Sequence, residues 1–212
     1  MEKNVKVPMN TPEKIGVLGG SFDPVHFGHL KCAKALIEQG VVDQVLFMPT
    51  GNPPHKDFKK ITAAKHRLKM LKLAIQDDPH FELSPYEINR KEKSYTVDTL
   101  RHLKKENPEA QYFFILGADN LKTIHTWKNY RALIRENTVL LLRRMGSPIN
   151  RKNSQKLTKY EFDKLTAHLI ITPFVKTSAT LVRKLIKHHG KTPIKHIPEK
   201  VLSYIYEKNL YS

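Results

Sequence analysis

Short, continuously apolar runs recur along this chain, at Lys14–Gly20 (KIGVLGG), 45–49 (VLFMP), Gln111–Gly117 (QYFFILG), 137–143 (NTVLLLR) and His168–Thr172 (HLIIT). A strand that alternates apolar and polar residues has one face in water, whereas a strand apolar throughout is covered on both. Between these runs lie stretches with helical spacing. Residues 27–39 gather Leu30, Cys32, Ala33, Leu36 and Ile37 on one face and stop at Gly40. Residues 62–76 set Ala64, Leu68, Leu71 and Ile75 on one stripe, with Lys65, Arg67, Lys69 and Lys72 elsewhere. Ser94 is expected to cap a helix running to about Glu106, with Asp98 in its first turn. Residues 178–188 and 198–208 close the chain as helices, while Phe81–Leu83 and 86–88 are read as a short edge strand. Buried strands alternating with amphipathic helices call for an α/β fold, a doubly wound and mostly parallel sheet with ligands at the carboxyl ends of its strands.

The chain of 212 residues suits one domain, and no apolar run reaches the roughly 18–20 residues of a membrane-spanning helix. The leading segment MEKNVKVPMNTPEK has no apolar stretch of signal-peptide length, so a cytoplasmic protein with no membrane partner is expected. Cys32 is the single cysteine, which rules out an internal disulfide and a cysteine-built zinc site. Lys and Arg number 37 against 20 Asp and Glu, a net charge of +17, and so positive a field calls for anionic partners without saying which. No zinc finger, RNP motif or interleaving of aromatic and basic residues accompanies it, so no specific nucleic acid is expected. The sequence leaves a homo-oligomer open.

Two common phosphate-binding signatures are absent: the first strand and turn read Gly16-Val17-Leu18-Gly19-Gly20 rather than G-x-G-x-x-G, and no G-x-x-x-x-G-K-[ST] loop occurs. In that place stands GGSFDPVHFGHL, residues 19–30. Gly19 and Gly20 let backbone approach a ligand, Ser21 offers a hydroxyl, and Pro24 stiffens the turn. His26 and His29 meet at the start of the first helix, where free N–H groups and the helix dipole favour phosphate. Taken alone they read as capping or surface residues, or as an anion cradle. Ser178 and Thr180, with Arg183 one turn on, offer the same choice between an ordinary cap and a phosphate site with a bidentate charge. Asn52, His55 and Lys56, stiffened by Pro53 and Pro54, form a basic loop that suits solvent or phosphate. Trp127, the single tryptophan, suits the core or an aromatic platform. Asp119 follows a strand end, where it caps a helix or meets ribose or metal-bound water. No carboxylate cluster offers a preformed metal cage.

The segment GSFDPVHFGHL resembles the His-x-Gly-His motif of the nucleotidyltransferase superfamily. NPPHK at 52–56, SYTVDTL at 94–100, GADN at 117–120, Trp127 and TSATLVR at 177–183 follow in the order and spacing of bacterial nicotinate-nucleotide adenylyltransferases. The resemblance, which runs from Lys14 to Tyr211, implies a Rossmann-like nucleotidyltransferase fold. Along the chain, residues 1–13 read as a leader expected to be disordered, 14–177 as the main domain, and 178–212 as a small helical subdomain completing it. It implies adenylyl transfer from ATP to nicotinate mononucleotide, with Mg²⁺ held mainly by the ATP phosphates, giving deamido-NAD and pyrophosphate. By that resemblance Gly19, Gly20, Ser21, Phe22, Gly117, Asp119, Ser178 and Thr180 line the ATP site, and His26, His29 and Arg183 are the catalytic groups on its phosphates. Asn52, His55, Lys56 and Arg144 then serve the mononucleotide phosphate, while Thr96, Trp127 and the main chain near Lys128 take the nicotinate. Met145 follows Arg144 where the family commonly has proline. The alternatives are a related adenylyltransferase acting on phosphopantetheine or nicotinamide mononucleotide, and a basic nucleic-acid-binding protein.

Overall fold

Apolar residues fall on both sides of the first strand, β1 (Lys14–Gly20): Ile15 and Val17 enter one core, and Leu18 packs against another. The computed structural model describes residues 12–51, 61–90, 92–144, 149, 151–173, 175–189 and 192–212. It continues with β2 (Gln44–Pro49), β3 (Phe81–Leu83), β4 (Gln111–Gly117), β5 (Thr138–Arg144) and β6 (His168–Thr172). The strands form one sheet in the order β3-β2-β1-β4-β5-β6, and every neighbouring pair is parallel.

The helices are α1 (Phe27–Glu38), α2 (Ala64–Ile75), α3 (Tyr86–Asn89), α4 (Thr96–Glu106), α5 (Tyr130–Glu136), α6 (Lys159–Thr166), α7 (Ala179–His189) and α8 (Glu199–Glu207). Leu36 on α1, Leu71 on α2, Val182 on α7 and Val201 on α8 join Val45, Phe47 and Ile115 in one core. On the other face Leu100 of α4, Leu133 of α5 and Leu165 of α6 join Val17, Phe114 and Leu141. Each fully buried leucine contributes about 1.5–3 kcal/mol of transfer free energy, so these two cores fix the layers more firmly than helix propensity does. The fold is the doubly wound α/β arrangement expected. Among the described residues no helix is long and apolar enough to cross a membrane.

Gly40 ends α1 with a φ of 64°. Its N–H donates to Ile37 O (2.9 Å) and that of Val41 to Leu36 O (3.0 Å), the paired bonds of a Schellman turn. Three expectations need correction. Residues 86–88 are not strand but belong to α3, because Pro85 has no N–H for a ladder and Asn89 N–H instead closes a turn onto Pro85 O. Ser94 does not cap α4: Tyr95 holds that position, and the Ser94 hydroxyl donates to Glu87 O (3.4 Å). Arg67 is not on the solvent face of α2 but lies with Leu71 and Ile75 along its buried stripe.

Candidate active site

The strand order reverses between β1 and β4, and this switch point opens a crevice at their carboxyl ends. Two cavities of about 500 and 490 Å³ meet there, sharing Leu18, Ile115, Gly117 and Asn120 in their walls. A Cβ at Gly117 would come 2.6 Å from the exposed Asp119 carboxylate, so a side chain at the junction would displace that group. Asp119 itself lies in a 3₁₀ turn just after β4, exposed at the edge of the second cavity.

His26 and His29 sit in the wall of the second cavity, and both serve as caps at the start of α1. His26 is the N-cap of α1, its Nδ1 accepting from Gly28 N–H (3.1 Å), while His29 Nδ1 accepts from His26 N–H (3.2 Å). The rings stack with centroids 3.7 Å apart. An Nδ1 that accepts leaves the proton of a neutral imidazole on Nε2, so the reciprocal cap sets one tautomer in both rings and makes Nε2 the donor. Gly28 permits this approach: a Cβ there would lie 2.9 Å from the His26 ring and 3.0 Å from Thr177 Cγ2.

Across the cavity α7 begins. Ser178 Oγ accepts from Leu181 N–H (3.1 Å), so it caps the helix while its residue lines the cavity. Thr180 Oγ1 accepts from Arg183 Nη2 (3.3 Å), and Arg183 Nη1 donates to Asp23 O (2.6 Å). Two buried hydroxyls in this wall, Ser154 Oγ and Thr177 Oγ1, have no hydrogen-bond partner among the described residues.

The first cavity is lined by Gly19, Gly20 and Ser21 on one side and by Thr96, Trp127 and Lys128 on the other. Trp127 is half-buried, its ring 6.2 Å from that of Phe114, so one edge belongs to the core and the rest to the cavity. Thr96 is the first residue of α4, where backbone N–H groups have no partner within the helix. The Lys128 ammonium lies 4.1 Å over the Tyr95 ring and 3.6 Å from Asp98 Oδ2. Glu87, buried in the same wall, accepts from the Thr99 hydroxyl (2.7 Å). Burial pushes its carboxyl above the usual carboxylate value, against the opposing pull of Thr99 and Arg90.

The Phe22 side chain lines neither cavity. It is 1% exposed and packs beneath Gly20, with its ring 5.0 Å from that of His29. Asn52, His55 and Lys56 lie outside the described residues, and of Arg144 only the backbone is described, at the end of β5 beside Thr172. Sequence reasoning missed Asp23, Arg67, Glu87 and Tyr211. Only Arg67 left a signal, its i, i+4, i+8 spacing with Leu71 and Ile75.

The cytidylyltransferase-like family profile matches residues 17–185. A Desulfitobacterium hafniense protein named "Probable nicotinate-nucleotide adenylyltransferase" is 37% identical over 209 residues, covering 98% of this chain and 99% of its own. A Moorella thermoacetica protein of the same name is 39% identical over 202 residues, covering 94% and 92%. The fold is shared with a nicotinic acid mononucleotide adenylyltransferase of Plasmodium falciparum, solved in complex with NaAD, at a TM-score of 0.72 and 21% identity over 94% of this chain and 97% of that one. Matched from end to end by relatives of one kind, the chain belongs to the nicotinate-nucleotide adenylyltransferases of the cytidylyltransferase-like family.

Proposed function

We propose that the protein transfers the adenylyl group of ATP to nicotinate mononucleotide, forming nicotinate adenine dinucleotide and pyrophosphate. The observation that carries this reading is the meeting of two cavities at Gly117, one bearing the histidine pair and the start of α7, the other Trp127 and the start of α4. Two nucleotides seated so can bring a phosphate of one against a phosphate of the other. A phosphate oxygen of the mononucleotide attacks the α-phosphorus of ATP in line. The new P–O bond forms as the bond to the β-phosphate oxygen breaks, and pyrophosphate leaves with the electron pair. No side chain needs to become a nucleophile.

The work of the protein is donation toward developing charge. His26 and His29 present Nε2–H to the triphosphate, and the N–H groups at the start of α7 add the positive end of a helix dipole. Of the five donors a guanidinium carries, Arg183 commits Nη1 and Nη2 bonds to Asp23 and Thr180, and the remainder serve phosphate. Trp127 stacks on the pyridine ring, and backbone N–H groups at the start of α4 near Thr96 donate to its carboxylate. Asn52, His55, Lys56 and Arg144 take the mononucleotide phosphate, and Gly19, Gly20, Ser21 and the Phe22 main chain border the path between the substrates.

Among the described residues no three His, Cys, Asp or Glu side chains gather as a metal site, and Asp119 reaches the second cavity as a single carboxylate. That donor set fits Mg²⁺ carried by ATP phosphates and water, with Asp119 beside its outer shell. Bound there, the ion neutralises charge on the pyrophosphate. Residues 178–212 complete this domain, since α7 and α8 share the core of α1 and α2. We place the reaction in the cytoplasm, where a chain with one cysteine meets a reducing milieu. Incubation with ATP, Mg²⁺ and nicotinate mononucleotide should yield the dinucleotide and pyrophosphate in equal amounts by mass spectrometry and phosphate assay. ADP or free AMP as the product would contradict direct transfer.

A further inference from the structure

The loop that carries the chain from β1 to His26, residues 21–24, is held from below by three remote parts of the molecule. Arg67 on α2 is 1% exposed, and it donates from Nη1 to Ser21 O (2.9 Å) and from Nε to Thr62 O (2.9 Å). Asp23 is 6% exposed, its Oδ1 accepting from the Tyr211 hydroxyl (2.6 Å) and its Oδ2 from Thr62 N–H (3.4 Å). Arg183 on α7 donates to Asp23 O (2.6 Å). The loop needs such support, because Phe22 holds a φ of 46°, a conformation that a bulky residue keeps only where its surroundings overdetermine it.

Tyr211 reaches this place through a specific turn. Asn209 ends α8 at a φ of 49°, with its N–H on Tyr206 O (3.3 Å) and Leu210 N–H on Ile205 O (3.0 Å). This second Schellman turn folds the last residues back onto the core, where Leu210 and Tyr211 pack. The aspartate and the arginine are both nearly out of water, and a buried charge is tolerated only when it is paired and hydrogen-bonded. Deleting the phenol donor would leave Asp23 Oδ1 short of its closest partner while the ring still fills its space.

We propose that Tyr211 is a positioning residue for adenylyl transfer, its hydroxyl acting through Asp23 to hold residues 21–24, which Arg67 anchors separately, so that His26 and His29 face the reacting phosphates. The proposal rests on the adenylyl-transfer reading. It places Tyr211 in the alignment of the site although Tyr211 lines neither cavity.

The test compares wild type, Tyr211→Phe, a chain ending at Leu210 and a chain lacking Ser212 alone, all as full assays with ATP, Mg²⁺ and nicotinate mononucleotide. Rates are taken at 20 °C per folded molecule, with the folded fraction read from near-ultraviolet circular dichroism. Tyr211→Phe should lose kcat by about tenfold, the size of effect that a small misalignment produces, with both KM values nearly unchanged. The chain ending at Leu210 should lose at least as much, and loss of Ser212 alone should change nothing. If the longer truncation unfolds, the Tyr211→Phe arm decides. Wild-type kcat in Tyr211→Phe, with or without a lower Tm, would overturn the positioning role and leave only a structural one. Silence of the wild type itself would overturn the adenylyl-transfer reading and this proposal with it.

Discussion

His29 does two things with one ring: Nδ1 caps the His26 amide, which puts the proton of a neutral ring on Nε2, and the ring lines the second cavity. Its removal should therefore cost far more in turnover than in stability. For His29→Ala we expect kcat to fall about 10²–10³-fold, as when one preorganised donor to transition-state charge is lost. The missing cap should cost about 0.5–2 kcal/mol, visible as a modest drop in Tm. Equal turnover in variant and wild type would remove this histidine from the catalytic account. The histidines were legible in the sequence because a short motif of adjacent residues builds their geometry. Asp23, Arg67 and Tyr211 were not, because their roles arise from contacts across 46 to 188 residues that bury polar groups no local pattern marks as buried.

At the level of elements, the strands were legible because parallel strands covered on both faces leave unbroken apolar runs, and β1, β4 and β6 fall at the bounds those runs set. The short helices α5 and α6 escaped notice, since each spans at most eight residues, too few turns for a helical period to stand out. The turn at Pro85 hid α3 as well, and α3 has a consequence for the site. Glu87 on α3 is tied to Thr99 on α4 through a buried carboxyl. Burial raises its pKa in the folded state, so the unfolded chain binds fewer protons, and stability falls as pH rises through the raised value. Glu87→Gln keeps an acceptor for Thr99 and removes the penalised charge. Thermal melts should show the variant higher than wild type at pH 8, with the gap closing as pH drops below the ordinary carboxylate value of 4.5. A difference in Tm that does not change with pH would contradict this origin.

Over the whole molecule, a net charge of +17 favours anionic substrates, and the two cavities open at the carboxyl end of the sheet between its central strands. Charge alone does not choose among them. On the proposed function, selection falls to the first cavity, where the Trp127 face and the start of α4 would favour an electron-poor ring bearing a carboxylate. The measurement that bears most directly on this is kcat/KM for nicotinate mononucleotide, nicotinamide mononucleotide and phosphopantetheine, each with saturating ATP and Mg²⁺ and pyrophosphate release as the signal. We expect nicotinate mononucleotide to lead both others by about 10²-fold or more, the discrimination that follows when a site's polar groups lose their partner. Equal or greater efficiency with phosphopantetheine, or no pyrophosphate from any of the three, would contradict it.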